Sequence, residues 1–462
     1  METRMVSNGA RSNQVTPTNV VFQVSTPTTS PIPPNFVTTR SAPASSFTAN
    51  AAKYLFIIHL LLFTILVIFL SVHGSLHRKH TFHPADWYLP LLASVATSYL
   101  SSLFFVSFTI RRPSLSLKTC IRLSPLLTCG VAVLLLCGGT GSSLGFSVLF
   151  LAMAMAQALY ACWITPRLPH AYEILSIAVA NTRVPVAALS YISLSLLVGS
   201  IYAILWMLGA GGVVEDKRSQ FGPLYMIALL LSLSWTMHVI KYTVIIAIAS
   251  LAHAQLILGD TGSVGTAFRQ AMTWAFGDVC LGAAVAPVVA ATRGAARAMD
   301  VLAGGSDEFL FSCTSCFSGV ADQMVGRGNR WGLVHVVAYG KAFGTASRDV
   351  WEMFSKQGMG RLLDNDLTGS FCFMWGTAGG SVAALTAGPW VLLVNQQYFI
   401  ATTIYAFLIG YFMTRVAMAW PQACVAAFHV VFAEDPLNQQ LGSCIHERLR
   451  ELGREDQTQT NL

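Results

Sequence analysis

The sequence predicts an all-α integral membrane protein, a polytopic bundle of about ten transmembrane helices. Its 462 residues have a mean hydropathy of +0.58, and only 11% of them are charged, whereas a soluble domain carries about a quarter charged residues. Apolar runs of roughly 20 residues recur along the chain, and each can cross a hydrocarbon core of ~30 Å as a helix. These observations exclude an ordinary soluble globular domain.

The chain divides into three predicted regions. Residues 1–52 are rich in Ser, Thr, Pro and Asn, a composition typical of a disordered tail, here expected to be cytosolic. Residues 53–435 form the predicted polytopic domain, and residues 436–462 form a cytosolic C-terminal tail with a short charged helix. The predicted spans are 53–72, 88–109, 122–138, 143–163, 186–209, 221–243, 267–292, 333–355, 364–390 and 396–419. The sixth can extend to about residue 258, because the apolar run continues.

The basic residues predict the orientation of the bundle. The net charge is +7, and the basic residues cluster in loops such as 111–122, which is typical of the cytosolic side of a membrane protein rather than of nucleic-acid binding. Two predicted helices precede this loop, so the N-terminus is also expected to be cytosolic. The segment 293–330 is equally basic, yet seven crossings would place it outside. Either one segment is re-entrant, or the sixth run consists of two pieces.

The stretch YGKAFGTASRDVWEMF, residues 339–354, is unusually charged for this chain. Residues three and four apart are neighbours on a helix, so the stretch predicts an amphipathic helix with internal ion pairs. Its charged face carries Lys341, Arg348, Glu352 and Lys356, and its apolar face carries Phe343, Val350, Trp351 and Phe354. Such a helix either lies in the cytosolic interface, or its first half enters the bundle and its second half emerges into water.

Three motifs in order carry a resemblance to a known family. They are FGDVCLG at 276–282, the run from NRWGLVHVVAYGKAF to LLDNDLTG at 329–369, and FAEDP at 432–436. Together they resemble the choline transporter-like family over about residues 265–440. The resemblance implies transport of choline or a related amine by alternating access, with no enzymatic activity and no cofactor. The family's usual serine in the first motif is Asp278 here.

The implied substrate directs the search for site residues. A quaternary ammonium group donates no hydrogen bonds and is held by aromatic faces, each giving about 0.5–2 kcal/mol, with a carboxylate adding attraction. Ionisable residues at membrane depth are candidates for function by default, and a histidine or lysine there could couple transport to protons. The alternative for each aromatic residue is packing or interface anchoring. The substrate-binding candidates are Trp235, Tyr242, Trp274, Phe276, Asp278, Tyr339 and Trp375, and the proton-coupling candidates are His238 and Lys241.

Other functions are weighed against transport. A non-transporting membrane scaffold in trafficking or lipid homeostasis is the alternative, and an enzyme is disfavoured because no catalytic constellation is visible. The chain has no G-x-x-x-x-G-K-S/T loop, which argues against an ATP-driven pump. No metal site is expected, since His77, His80 and His83 read as a basic interfacial loop. The expected partners are the organic cation and membrane lipids, without nucleic acid. The plasma membrane is the favoured location, with Golgi or endosomal membranes as the alternative.

Overall fold

The computed structural model describes residues 46–77, 83–181, 186–215, 221–259, 262–303, 326, 328–359, 362–363 and 366–436. Most of the predicted tails, 1–45 and 437–462, lie outside these residues. The described chain is helical and shows no strand in these ranges. Helix α1 begins at Phe47, earlier than the predicted start at residue 53, because the Ser46 side chain accepts a 3.2 Å hydrogen bond from the Ala49 N–H and caps it.

The helices are numbered in chain order. They are α1 Phe47–Leu76, α2 Pro84–Arg111, α3 Pro113–Leu136, α4 Gly141–Ile164, α5 Leu168–Asn181, α6 Val186–Glu215, α7 Gly222–Leu258, α8 Val264–Met272, α9 Phe276–Ala303, α10 Gly332–Tyr339, α11 Phe343–Lys356, α12 Thr368–Val394, α13 Phe399–Ala417 and α14 Ala419–Glu434.

Eight of the described helices are long and apolar enough to cross a membrane, namely α1–α4, α6, α7, α12 and α13. A ninth span results if α8 and α9 are counted as one bent crossing. The prediction of a polytopic all-α membrane protein is therefore confirmed, and ten spans was an approximation. The prediction that the sixth run continues to about residue 258 is also confirmed, since α7 ends at Leu258.

Two predicted spans are wrong as single helices. The span 267–292 breaks between α8 and α9 with a bend of 74°, where Thr273 has φ −104° and ψ −93°, outside the helical range. The span 333–355 breaks at Gly340, which ends α10 with φ +66°, a left-handed conformation that glycine adopts without a Cβ clash. Two further helices, α5 and α14, were not predicted as separate elements. Helix α14 was missed because it begins two residues after the end of α13.

Helix α9 begins near the predicted cytosolic end of α1, and we interpret α8 and α9 as a re-entrant element rather than a ninth crossing. At its start, a Cβ on Gly277 would lie 2.6 Å from the carbonyl oxygen of Ala49, in the first turn of α1. Further along, Gly282 lies against Leu333 and Phe343, at the starts of α10 and α11. Helix α9 therefore leads from the predicted cytosolic end of α1 toward the α10–α11 layer. A re-entrant pair also removes the conflict between the charge pattern and the number of crossings.

Helix α11 is amphipathic, as predicted. Phe343, Val350 and Phe354 are buried, while Arg348 and Glu352 are exposed. The Nζ of Lys341, just before α11, forms an ion pair with the Oδ2 of Asp349 at 2.5 Å.

Helix α10 contrasts with α11, because it is buried from Gly332 to Ala338. Of the two alternatives for this stretch, the structure favours a first half inside the bundle and a second half with one side in water.

Helices α12 and α13 pack at backbone distance. A Cβ on Gly410 would lie 2.6 Å from the carbonyl oxygen of Gly379, so neither helix could approach the other with a larger residue there. Small residues allow this close approach in membrane helices. The glycines at 374–388 therefore allow α13 to pack closely against α12.

Candidate substrate site

An aromatic cluster joins α1, α7 and α9 beside the bend that precedes α9. The ring of Phe56 on α1 lies 5.4 Å from that of Trp235 on α7 and 6.0 Å from that of Phe276 on α9. His59, one turn further along α1, lies 4.8 Å from the Trp235 ring. The structure thus brings together Trp235 and Phe276, two of the predicted site residues, through Phe56.

The cluster has a polar side on α7. The Nε2 of His59 lies 2.8 Å from the Oγ of Ser232, and the hydroxyl of Tyr202 lies 2.6 Å from the same Oγ. Within the described residues, the Nδ1 of His59 and the Nε1 of Trp235 are buried and have no hydrogen-bond partner. A buried donor without a partner is costly, so these nitrogens are suited to bind a hydroxyl group of a ligand.

A cavity of about 240 Å³ lies next to this cluster, between α1 and α7. Its walls include His59 and Ser232, and its rim includes the exposed side chains of Leu55 and Leu62. An engineered apolar cavity of about 150 Å³ is large enough to bind benzene. The cavity therefore has room for a small organic molecule, and it opens on the outer surface of the bundle.

Asp278 lies two residues after Phe276, in the first turn of α9. Its side chain is buried, and its Oδ1 accepts a 2.9 Å hydrogen bond from the backbone N–H of Phe343, the first residue of α11. Gly277 touches the first turn of α1, so Asp278 lies near the end of the bundle. Asp278 was predicted at the bilayer centre, midway between Arg269 and Arg293 of a single span; the structure instead breaks that span and places Asp278 in the first turn of a helix.

The proton-coupling candidates lie on α7, beyond Trp235. The Nδ1 of His238 donates a 2.7 Å hydrogen bond to the carbonyl oxygen of Ser234. The Nζ of Lys241 lies 5.3 Å from the centre of the Tyr242 ring, and both side chains are 4% exposed. No ring contact joins Tyr242 to Trp235 among the described residues, although they are seven positions apart.

Two further predicted residues serve other contacts. Trp274 is half-buried in the bend itself. Trp375 on α12 lies 4.3 Å from the Phe105 ring on α2, and its Nε1 donates a 3.2 Å hydrogen bond to the Oγ of Ser116 on α3. Trp375 therefore packs α12 against α2 and α3, apart from the α1–α7–α9 cluster.

A second polar cluster surrounds Glu434, in the FAEDP motif at the end of α14. Its Oε1 accepts a 2.9 Å hydrogen bond from the Tyr339 hydroxyl and lies 3.0 Å from the Nε2 of His335, both on α10. Its Oε2 lies 3.2 Å from the Nε2 of His253 on α7. One carboxylate thus joins three helices. Tyr339, predicted as a substrate aromatic, is placed here and not in the aromatic cluster.

The carboxylate of Asp366 joins two further segments that are distant in sequence. Asp366 precedes α12 and forms an ion pair with Arg330. Burial would raise the pKa of Asp366, but the guanidinium of Arg330 and the nearby His429, together with hydrogen bonds from Thr368, hold it below its usual value. Asp366 is therefore an ionised anchor that ties the start of α12 to the segment before α10.

Comparison with known proteins decides the family. A family model described as plasma-membrane choline transporter matches residues 148–437, more than half of the 462-residue chain. The chain belongs to the choline transporter family. The match includes α7, α9, α10 and α14, and with them Trp235, Asp278 and Glu434.

Relatives within the choline transporter family come from fungi and an amoeba. The chain is 27% identical over 183 residues to protein PNS1 of Debaryomyces hansenii, covering 37% of this chain and 35% of that protein. It is 28% identical over 185 residues to pns1 of Aspergillus fumigatus, covering 38% and 34%. It is 22% identical over 245 residues to a CTL-like protein of Dictyostelium discoideum, covering 52% and 43%. The matched region thus spans about a third to under half of each relative's length.

Phe56 and His59 lie outside the region that matches the choline transporter family model. Sequence reasoning missed Phe56, because it is one of many apolar residues in α1 and no periodicity distinguishes its ring. His59 carries a signal that could have found it, since it is an ionisable residue inside the first apolar run. Ser232, the hydrogen-bond partner of His59, is 173 positions away from it in the sequence. The side of the aromatic cluster that α1 supplies is therefore a feature that only the fold reveals.

Proposed function

We propose that this protein is a membrane transporter for choline or a related organic cation, working by alternating access, and that it is not an enzyme. The observation that carries the proposal is the aromatic cluster of Phe56, Trp235 and Phe276 beside a cavity of about 240 Å³. Aromatic faces bind a quaternary ammonium group, which cannot donate hydrogen bonds.

The polar side of the cluster suits the rest of a choline-like molecule. The unpartnered Nε1 of Trp235 and Nδ1 of His59 can hydrogen-bond its hydroxyl group. Asp278, two positions from Phe276, supplies negative charge near the aromatic faces without direct contact. His238 remains the candidate for proton coupling, because its imidazole is half-buried one turn beyond Trp235 on α7. Membrane potential or a proton gradient would drive transport.

The bend between α8 and α9 provides a moving part for such a cycle. Discontinuous helices beside a binding site are a recurrent feature of secondary transporters. Phe276 begins α9 directly after the bend, so a change of the bend angle would move one wall of the aromatic cluster relative to α1 and α7. We propose the plasma membrane as the site of action.

The test is uptake and efflux of labelled choline by the purified full chain in lipid vesicles. Saturable, choline-competed uptake that Trp235→Ala weakens supports the proposal. Uptake equal to that of empty vesicles, with an imposed membrane potential or pH gradient of either sign, overturns it. In that case a non-transporting scaffold would be the remaining function.

A further inference from the structure

We propose that Lys241 on α7 and Arg415 on α13 form a binding site for a small monovalent inorganic anion of halide size. The site lies apart from the aromatic cluster, and the inference does not depend on the protein transporting choline. It rests on a buried cation, Lys241, and a half-buried one, Arg415, for which the described residues provide no carboxylate partner.

A ring contact between α7 and α13 brings Lys241 and Arg415 to the same depth in the bundle, because it lies one turn before each of them. The ring of His238 on α7 lies 5.8 Å from that of Phe412 on α13. With eight spans in alternating directions, α7 and α13 run the same way. Lys241 is three residues beyond His238, and Arg415 is three beyond Phe412, so each follows on the same face of its helix.

Gly376 on α12 makes room for the Arg415 side chain. A Cβ at this position would lie 2.9 Å from the Cδ of Arg415, so the stem of the arginine lies directly on the α12 backbone. The Nη1 of Arg415 is buried, and no hydrogen-bond partner for it is present in the described chain. Arg415 as a whole is half-buried, and its guanidinium carries one buried donor that is not used.

Lys241 is buried, and the described residues provide no carboxylate partner for it. It is 4% exposed, and its recorded contact is the Tyr242 ring at 5.3 Å. An uncompensated buried charge is costly, so Lys241 can carry its charge here only beside a negative partner.

The acidic side chains nearby have other partners. Asp366 pairs with Arg330, and Glu434 is held by His253 and His335. Across the described residues, no carboxylate lies within 4.0 Å of Lys241 or Arg415.

The nearest thiol supplies no charge either. The Sγ of Cys372 donates a hydrogen bond to the carbonyl oxygen of Met418 at 3.5 Å, so it keeps its proton. Cys372 and Tyr242 are 0% and 4% exposed, so the surroundings are closely packed and favour a small ion over a phosphate or a lipid headgroup. A halide, of which chloride is the common one, fits the positive charge and this limit on size.

The test compares thermal unfolding of the purified full chain in sodium chloride and in sodium gluconate at equal ionic strength. Gluconate is too large for the site, so it serves as the reference anion. A ligand that binds the folded state raises the midpoint with its concentration. We expect the midpoint of the native protein to rise by several degrees with chloride and to saturate, and bromide to act like chloride.

Variants locate the effect. Lys241→Met should remove the chloride dependence, and in gluconate it should be at least as stable as the native protein, because an unpaired cation is gone. Arg415→Gln should weaken the apparent chloride affinity at least tenfold. It is the substitute test if Lys241→Met does not fold. Arg348→Gln, an exposed cation on α11, should leave the dependence unchanged.

Three outcomes overturn the proposal. They are equal midpoints of the native protein in chloride and gluconate, a chloride dependence that survives both Lys241→Met and Arg415→Gln, and an equal loss in Arg348→Gln. The last would mean general screening of surface charge.

Discussion

Asp278 on α9 accepts a 2.9 Å hydrogen bond from the backbone N–H of Phe343, which begins α11. The first N–H groups of a helix have no partner within the helix, and Asp278 supplies one from a different element. The same carboxylate lies in the first turn of α9, where the positive end of that helix dipole also favours it. The contact therefore fixes the start of α9 to the amphipathic helix α11.

This contact predicts the response of stability to substitution. Asp278→Ala removes the acceptor and should destabilise the protein by about 1 kcal/mol, the usual cost of losing an N-terminal cap. Asp278→Asn keeps an oxygen acceptor and should stay within a few tenths of a kcal/mol of the native protein. Thermal unfolding of the purified chain measures both. Equal destabilisation by the two variants would show that the charge, and not the hydrogen bond, is what α11 requires.

Asp278→Asn also tests the role of the charge in transport. The carboxylate attracts a permanently charged amine through space, but it does not attract an uncharged molecule of the same shape. We expect the variant to weaken competition by choline more than competition by its neutral carbon isostere in the vesicle uptake assay. If both competitors change by the same factor, Asp278 serves only as a cap and not in substrate selection.

The aromatic cluster predicts a graded loss of affinity. A cation–π contact contributes about 0.5–2 kcal/mol, so Phe56→Ala or Trp235→Ala should raise the KM for choline about 2- to 30-fold. Trp235→Phe keeps a ring and should lose less. Phe104→Ala, at a ring that is 64% exposed on α2, is the matched control and should leave KM unchanged. An unchanged KM in both cluster variants would exclude the cluster as the binding site.

The sequence and the fold agree most where one helix face differs clearly from the other. The burial of Phe343 and Phe354 on α11 follows from residue spacing alone, and so does the exposure of Arg348. The bend at Thr273 could not be predicted in this way, because no proline stands at the break and the residues directly before and after it, Met272 and Trp274, are both compatible with a helix.

The candidate site was predictable only in part, for a related reason. Trp235 and Phe276 stand out as aromatics beside family motifs, whereas Phe56 is one of many apolar residues in α1. Which ring of a uniformly apolar helix faces a site depends on how that helix packs. Glu434 was visible in the FAEDP motif, but its partners His253 and His335 come from helices distant in sequence.

The re-entrant reading of α8 and α9 makes a prediction about topology. The chain has no N-x-S/T sequon, so an inserted glycosylation cassette reports its own location without background. A cassette between α9 and α10 should stay unmodified in a eukaryotic host, since that segment is expected on the cytosolic side. The same cassette between α6 and α7 should be glycosylated. Modification at the first position would mean that α8 and α9 cross the membrane together.

The Glu434 cluster predicts how stability depends on pH. Burial alone would raise the pKa of Glu434, but its hydrogen bonds with His253 and His335, and their charge, lower it from 4.5 to about 2. A carboxyl group with a lowered pKa in the folded state stabilises the protein above its unfolded pKa. This stability is lost as the pH falls toward the folded value. The unfolding midpoint should therefore fall steeply as the pH is lowered from 4.5 to about 2.

Glu434→Gln isolates this contribution. Each pH unit between the two pKa values corresponds to about 1.4 kcal/mol. The free energy of unfolding of the native protein should therefore exceed that of the variant by up to about 3 kcal/mol above pH 5. The difference should vanish near pH 2. Glu352→Gln, at an exposed carboxyl group on α11, is the control and should follow the native curve. Parallel curves for the native protein and Glu434→Gln across this range would mean that the histidines do not stabilise an ionised Glu434, and that α7, α10 and α14 are joined by packing alone.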